Sequence, residues 1–263
     1  PPPRAPFAPS RTPTPRRLRS SAIAVAVLVL SGAGFWLSRR GTQDLALTFD
    51  RADAMSGVPA GSGVAIAAGN TLTILDANGH AVETRALDAP VAALSWSVGS
   101  FWSANGRTKA VVEHRLDGET SSFGLNHVPS SISASEKNLW STDEKGRQIH
   151  QFLITRSMLG MFLQPLDLYD LPDLTAECFD MDADGVLWMV DAPSRRLYRL
   201  KVDGAVYKPV ESAPLIPLIG GAGRVKGIAV DDGRLWILVS AADGRGASVL
   251  KRLSLRRLAW TPT

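Results

Sequence analysis

The sequence predicts an all-β fold, a β-propeller preceded by a single N-terminal transmembrane helix. Three observations predict it: a unit of paired apolar strands that recurs along the chain, a tryptophan at a fixed place in most copies, and one uncharged stretch of 18 residues ahead of the first copy.

Residues 1–20, PPPRAPFAPSRTPTPRRLRS, are rich in Pro, Arg, Ser and Thr and offer nothing with which to build a core or a helix. Ser21–Ser38, SAIAVAVLVLSGAGFWLS, is uncharged and bracketed by Arg19 and Arg39–Arg40. As a helix rising ~1.5 Å per residue it reaches ~27 Å, close to the thickness of a hydrocarbon core. It reads as a membrane span with Trp36 at the interface. The competing reading is a cleaved signal peptide, with the small residues Ser31 and Ala33 ahead of Gly34.

Five arginines precede the span, whereas Arg39, Arg40 and Arg51 follow it. The positive-inside bias then places the N-terminus in the cytoplasm and the head on the periplasmic or extracellular side of the inner (cell) membrane. Ala22, Ala26 and Ala33 fall on one helix face, where small residues permit close helix approach. With Arg16 and Arg17 of the tail and Trp36, they are the candidate contacts to the lipid bilayer and to integral-membrane subunits of a larger complex. Residues 39–62 read as a linker and first strand, and 63–263 as the propeller head.

The 29 Lys plus Arg against 25 Asp plus Glu give a net charge of +4. Seven of those arginines precede the first acidic residue, Asp44, so residues 44–263 carry about −3. A nucleic-acid-binding head is not expected from that balance, and Lys251, Arg252, Arg256 and Arg257 read as decoration of an outer strand. Cys178 is the one cysteine, which excludes an internal disulfide, a CxxC pair, a thiolate zinc cluster and a CxxCH haem site.

Four units begin at Val91, Ser131, Cys178 and Gly227, and Trp102, Trp140, Trp188 and Trp236 hold equivalent places in them. Aligning GVAIAAGNTLTILDANG, Gly63–Gly79, on the second strand adds a fifth copy with Ile66 in the tryptophan's place. Spacings from Ile66 are then 36, 38, 48 and 48 residues, which are propeller-blade periods. Inside a unit, RLYRLKV alternates as a strand and Asp203–Gly204 supplies a hairpin turn, matched by Asp117–Gly118 at the same offset from its tryptophan. Five blades are countable; a sixth would need a degenerate copy within the loops. The strands near LALTF and LRRLAWTP are placed to complete each other's blades.

These units, DGVLWMVDAPSRRLYRLKVDG and DDGRLWILVS above all, resemble the NHL-repeat and streptogramin-lyase-like propellers, a group that includes SMP-30-like enzymes. The resemblance spans roughly residues 45–260. It implies the architecture; the fold hosts lactonases, lyases and binding platforms alike.

FDMDADGVLWMVD brings Asp180, Asp182, Asp184 and Asp191 into the spacing of a calcium loop. Against that, Asp191 stands where a bidentate Glu is needed, and a strand fills the second half of the loop. A hairpin turn at Asp184–Gly185 is the simpler reading. His80, His114, His127 and His150 fall in different units without metal-ligand spacing. A GxSxG elbow and a Walker A loop are absent, and GAGRVKG, Gly221–Gly227, reads as an inter-blade loop. No cofactor is expected apart from calcium at those aspartates.

The two long spacings arise from apolar, Pro-containing insertions, 157–174 and 211–223, in which Tyr169, Leu171, Leu215 and Ile216 are candidate partner contacts. The sequence therefore reads as a non-enzymatic single-pass membrane subunit. Its propeller would scaffold a larger complex, of an electron-transfer, photosynthetic, respiratory or envelope-transport kind. The alternatives are a membrane-anchored, divalent-metal-dependent propeller hydrolase or lactonase, and a ligand sensor.

Overall fold

The computed structural model describes residues 45–58, 63–157, 160–219, 223–231, 233–241 and 246–263. The chain enters through β1 (Leu45–Phe49) and then builds five four-stranded antiparallel blades. Blade 1 is β2 (Ala54–Val58), β3 (Gly63–Ala68), β4 (Thr71–Asp76) and β5 (Ala81–Ala86). Blade 2 is β6 (Ala93–Ser97), β7 (Ser100–Ala104), β8 (Ala110–Arg115) and β9 (Thr120–Gly124). Blade 3 is β10 (Ser131–Ala134), β11 (Asn138–Thr142), β12 (Gln148–Ser157) and β13 (Gly160–Asp170). Blade 4 is β14 (Ala176–Met181), β15 (Leu187–Asp191), β16 (Arg196–Asp203) and β17 (Val206–Pro214), followed by the one-turn helix α1 (Ile216–Ile219). Blade 5 is β18 (Arg224–Asp231), β19 (Arg234–Ser240) and β20 (Ser248–Ser254), with β1 as its outermost strand.

The inner strands touch in the cycle β2, β6, β10, β14, β18 and back to β2, so the ring closes on five blades. Closure joins the two ends of the head: β1 pairs with β20 from Leu45↔Arg252 to Phe49↔Ser248. The buried Ser248 hydroxyl then accepts from the Ala52 amide at 3.1 Å, pinning the turn into blade 1. LALTF thus closes the ring against SVLKRLS. The C-terminal strand β21 (Thr261–Pro262) instead pairs with β17, on blade 4. Because β1 and β2 are propeller strands, the propeller includes residues 45–58, ahead of residue 63. AMSGV is too short and too small-sided to stand out as a strand by apolar alternation.

Five hydrophobic clusters hold the ring, one in each junction between neighbouring blades. Trp102, Trp140, Trp188 and Trp236 each sit on the second strand and enter the junction with the following blade. Across the blade they face Ser95, Ser133, Asp180 and Ala229. In blade 1 the corresponding pair is Ser56↔Ala65, so Ala65 and not Ile66 occupies the tryptophan's place. A one-residue slip reverses the face. Ile66 accordingly packs backward into the junction with blade 5. The volume missing at Ala65 is supplied from the opposite wall by Trp96, which joins that cluster and stacks on Phe101 at 5.7 Å.

Nearer the axis the strands approach so closely that only small side chains fit. One ring of equivalent positions reads Ala54, Ala93, Ser131, Cys178, Gly227, and the next reads Ser56, Ser95, Ser133, Asp180, Ala229. Four members of the second ring form a belt. Ser56, Ser95, Ser133 and Asp180 accept, in turn, from the amides of Trp96, Ala134, Met181 and Val230 at 2.7–3.1 Å. Each bond gives an inner-strand amide of one blade an acceptor on its neighbour. At the fifth junction Ala229 meets Gly57 without a hydrogen bond, and a Cβ on Gly57 would lie 3.1 Å from it.

The insertions are absorbed as longer outer hairpins. Strands β12 and β13 run 10 and 11 residues, and β16 and β17 run 8 and 9. A single parallel pair, Asp170↔Val206, joins the rims of blades 3 and 4. Among the described residues no helix is long and apolar enough to cross a membrane; the expected span, Ser21–Ser38, lies outside them.

Ser95→Ala should leave the half-buried Ala134 amide without its acceptor and cost about 1 kcal/mol. The measurement is a lowered urea midpoint at unchanged m-value; an unmoved midpoint would remove the belt from the account of stability.

Candidate functional site at the channel mouth

At one end of the axis each inner strand begins with an irregularity. In blades 4 and 5 the register shifts between Ala176 and Cys178 and between Val225 and Gly227, leaving Glu177 and Lys226 as bulged residues. In blades 1–3 the equivalent residue sends its amide to the carbonyl that faces its successor. Asp53 bonds Ala67 O, Ala92 bonds Ala104 O and Ser130 bonds Thr142 O, at 2.8–3.1 Å. A bulge re-aims a side chain that regular pairing would send into a junction. All five residues, Asp53, Ala92, Ser130, Glu177 and Lys226, line a cavity of about 570 Å³ with Arg51, Arg107, Arg224 and Asn105 around them. A second, much smaller pocket of about 20 Å³ adjoins it, lined by Met55, Leu94, Ile132, Phe179 and Ile228.

The mouth is dominated by cations. Arg51 pairs with Asp53 at 2.9 Å, and Asp53 also accepts from the Gly69 amide. Arg224 stands 3.7 Å from Glu177, whose side chain is 13% exposed. Burial pushes the Glu177 carboxyl above its usual range, and Arg224, Arg195, Lys226 and the Val225 amide only partly offset that. The Ser130 hydroxyl is already committed to Thr142 and to the Asp143 carbonyl.

The four aspartates separate by role. Asp180 belongs to the belt and is bonded by the Val230 amide and the Ser133 hydroxyl. Although it keeps some surface in the channel, the protein around it raises its pKa to about 6. Asp182 holds the turn: its Oδ1 accepts from the Asp184 and Val186 amides and its Oδ2 from the Trp188 indole N–H at 2.8 Å. Asp184 is exposed beside Gly185, whose φ of +75° fits a residue without Cβ. Asp191 is buried and accepts from Thr175 and from Ser194 twice, fixing the turn from which Arg195 reaches the Gly223 carbonyl of blade 5. Among the described residues no three His, Cys, Asp or Glu side chains lie close enough to hold a metal ion.

Of the apolar candidates, Leu171 and Leu215 are core residues, 3% and 0% exposed, and offer a partner no surface. Each terminates an insertion by folding back into a junction, Leu171 between blades 3 and 4 and Leu215 between blades 4 and 5. Tyr169 is half-buried and bonded to Gln151 and Asp167, while Ile216 is 49% exposed. Arg16, Arg17, Ala22, Ala26, Ala33 and Trp36 lie outside the described residues. Two histidines do meet: His127 and His150 stack at 3.8 Å, and burial lowers both, His127 to about 4.

Sequence reading passed over Glu177, Lys226 and the arginines around them. A signal was present: Glu177 and Lys226 each stand three residues before a member of the ring that reads Ser56, Ser95, Ser133, Asp180, Ala229, and GAGRVKG, read as a loop, contains the start of inner strand β18.

No family model and no curated protein matches this chain. Similar solved structures are propellers. Glutaminyl cyclase from Myxococcus xanthus aligns with a TM-score of 0.54 at 11% identity, over 83% of this chain and 97% of the cyclase. A streptogramin B lyase aligns at 0.47 and 17% identity, over 81% of this chain and 73% of the lyase. YCF48, solved with a D1 peptide bound, aligns at 0.43 and 15% identity, over 75% and 66% of the two chains. At such identities the likeness is one of fold, and at that level it supports the propeller resemblance. It also corrects the expectation of a non-enzyme. The cyclase shares this fold and is an enzyme, so a propeller lacking a recognisable motif is no ground for excluding catalysis. The neighbours do not make the chain enzymatic either.

Asp182→Ala should cost about 1–3 kcal/mol by stranding the Trp188 indole N–H and two turn amides, with a change in tryptophan fluorescence; native fluorescence and midpoint would contradict that role. For Asp180 the folded pKa of about 6 exceeds the unfolded value near 3.8, so the folded state binds more protons between them. Stability from this group therefore falls as pH rises from about 4 to about 6 and levels off above. Unfolding profiles should differ in slope between wild type and Asp180→Asn in that window; parallel profiles would refute the assignment.

Proposed function

We propose that the chain is a membrane-tethered interaction head: residues 21–38 span the bilayer, residues 1–20 lie on the cytoplasmic side, and the propeller scaffolds integral-membrane subunits of a larger complex beyond it. The observation that carries the reading is the blade 3 hairpin. Outer strands of blades 1 and 2 are 6 and 5 residues long, whereas β13 runs 11. Along β13, Phe162, Leu166 and Leu168 are 46%, 50% and 47% exposed. A long edge strand bearing large apolar side chains invites pairing with another chain, and surface edges are ordinarily kept short or charged to avoid it.

The bond between head and partner would combine edge pairing with burial of those side chains, while the span supplies proximity in the membrane plane. The propeller needs no rearrangement for this, since its cores lie in the junctions and not at the rim.

Replacing Phe162, Leu166 and Leu168 together by serine should lower recovery of co-purifying subunits by about tenfold or more from mild detergent. Deleting residues 1–20 should weaken it as well. Undiminished recovery in the triple variant, with the head still folded by circular dichroism, would sink the proposal.

A further inference from the structure

We infer that the channel mouth is a binding site for a small anion bearing a carboxylate or phosphate group, gripped by Arg107 and Lys226 and flanked by Arg51 and Arg224. The inference rests on the mouth alone and stands independently of the blade 3 edge.

Four cations face two carboxylates across this one cavity. Arg51 and Arg224 are engaged by Asp53 and Glu177. The side chains of Arg107 and Lys226 have no ion-pair or hydrogen-bond partner among the described residues. This excess of positive charge runs against the head as a whole, in which acidic residues outnumber basic ones beyond Asp44. An even solvated surface would spread such charges apart; here blades 1, 2 and 5 bring them to one concave mouth, where low-dielectric walls focus the field.

Lys226 reaches the mouth because a bulge turns it there, in a ring whose regular positions are small or apolar. The volume of about 570 Å³ is that of a small-molecule pocket. Beneath the mouth a pocket of only about 20 Å³ lies between the inner strands. Lining by charged and short polar groups, with few large apolar ones, suits a compact polar anion over a lipid or a peptide side chain. Glu177 sets the selectivity: its ionised form competes with the ligand for Arg224, so the site is weakened by the charge at Glu177 and strengthened by its removal.

The test is titration calorimetry on the full chain in detergent, with sodium citrate and sodium phosphate as probes against sodium chloride at matched ionic strength. One saturable site with Kd below about 1 mM is expected for at least one probe. Binding of citrate alone assigns a carboxylate, and of phosphate alone a phosphate. Lys226→Gln and Arg107→Gln should each weaken that probe about tenfold, whereas Glu177→Gln should tighten it severalfold. Should Lys226→Gln fail to fold, Arg107→Gln, on an exposed loop, carries the same reading. Saturation by neither probe overturns the proposal, as does unchanged affinity in Arg107→Gln or weakened affinity in Glu177→Gln.

Discussion

The close approach of the five inner strands is the constraint from which the rest of the molecule follows. Fewer blades around an axis mean a narrower ring, and here the rings of facing positions admit nothing larger than Ser, Cys or Asp. A Cβ on Gly227 would fall 2.5 Å from Met55 Cγ, which shows how little space remains. Backbone amides held this close need acceptors on the neighbouring strand, and the Ser56, Ser95, Ser133 and Asp180 belt provides them. Bulk is displaced outward to the second strands, where blades diverge. There Trp102, Trp188 and Trp236 fill the wedges and are almost fully buried. A ring built this way is stabilised junction by junction, and its closure by β1 against β20 completes the fifth core.

The same tightness decides where chemistry can sit. Regular pairing sends inner-strand side chains chiefly into one junction or the other, so side chains turn freely toward the axis mainly where pairing is broken. It is broken at the same place in all five blades, and the residues there line the mouth without the size limit of the two rings. Blades 2 and 3 leave Ala92 and Ser130, while blades 1, 4 and 5 carry Asp53, Glu177 and Lys226. Charge at the mouth is therefore a consequence of irregular backbone on a regular frame. The partial burial that raises the Glu177 pKa is the cost of placing a carboxyl beside the packed ring.

Much of this frame was legible in the sequence, because tryptophans and Asp-Gly turns recur at blade spacing and local turn chemistry is decided by near neighbours. Asp182 illustrates this: the acidic alternation matched calcium-loop spacing, but the hairpin turn was the simpler reading, and the three acceptor bonds of Asp182 go to two turn amides and an indole six residues on. Ile66 was misplaced by one residue because GVAIAA has no alternation to fix its register, and only the Ser56↔Ala65 pairing settles it. Leu171 and Leu215 were read as candidate partner contacts, yet they return to junction cores that no local pattern announces. The mouth escaped notice for the same reason. Its members come from five segments spread over 174 residues, Asp53 to Lys226, and each segment by itself is the unremarkable start of a strand.

The rims of the blades obey a different rule from the axis, and their inequality carries meaning. An outer strand is an open edge, safe when short or charged, as in AVETRA of β5. Blade 5 has β1 on its rim, and blade 4 has part of β17 covered by β21 through Glu211↔Pro262 and Ser212↔Thr261. Blade 3 receives only the single bridge Asp170↔Val206 at the very end of β13. If the long hairpin served merely to thicken the blade, its solvent side would be expected to carry the polar residues found on β5. Instead the strand leaves Phe162, Leu166 and Leu168 about half exposed, and burying the remaining area of each would be worth roughly 1 kcal/mol. That apolar surface on a long, uncovered edge is the feature from which the proposed interaction head is argued, since edges of this kind invite pairing with another chain.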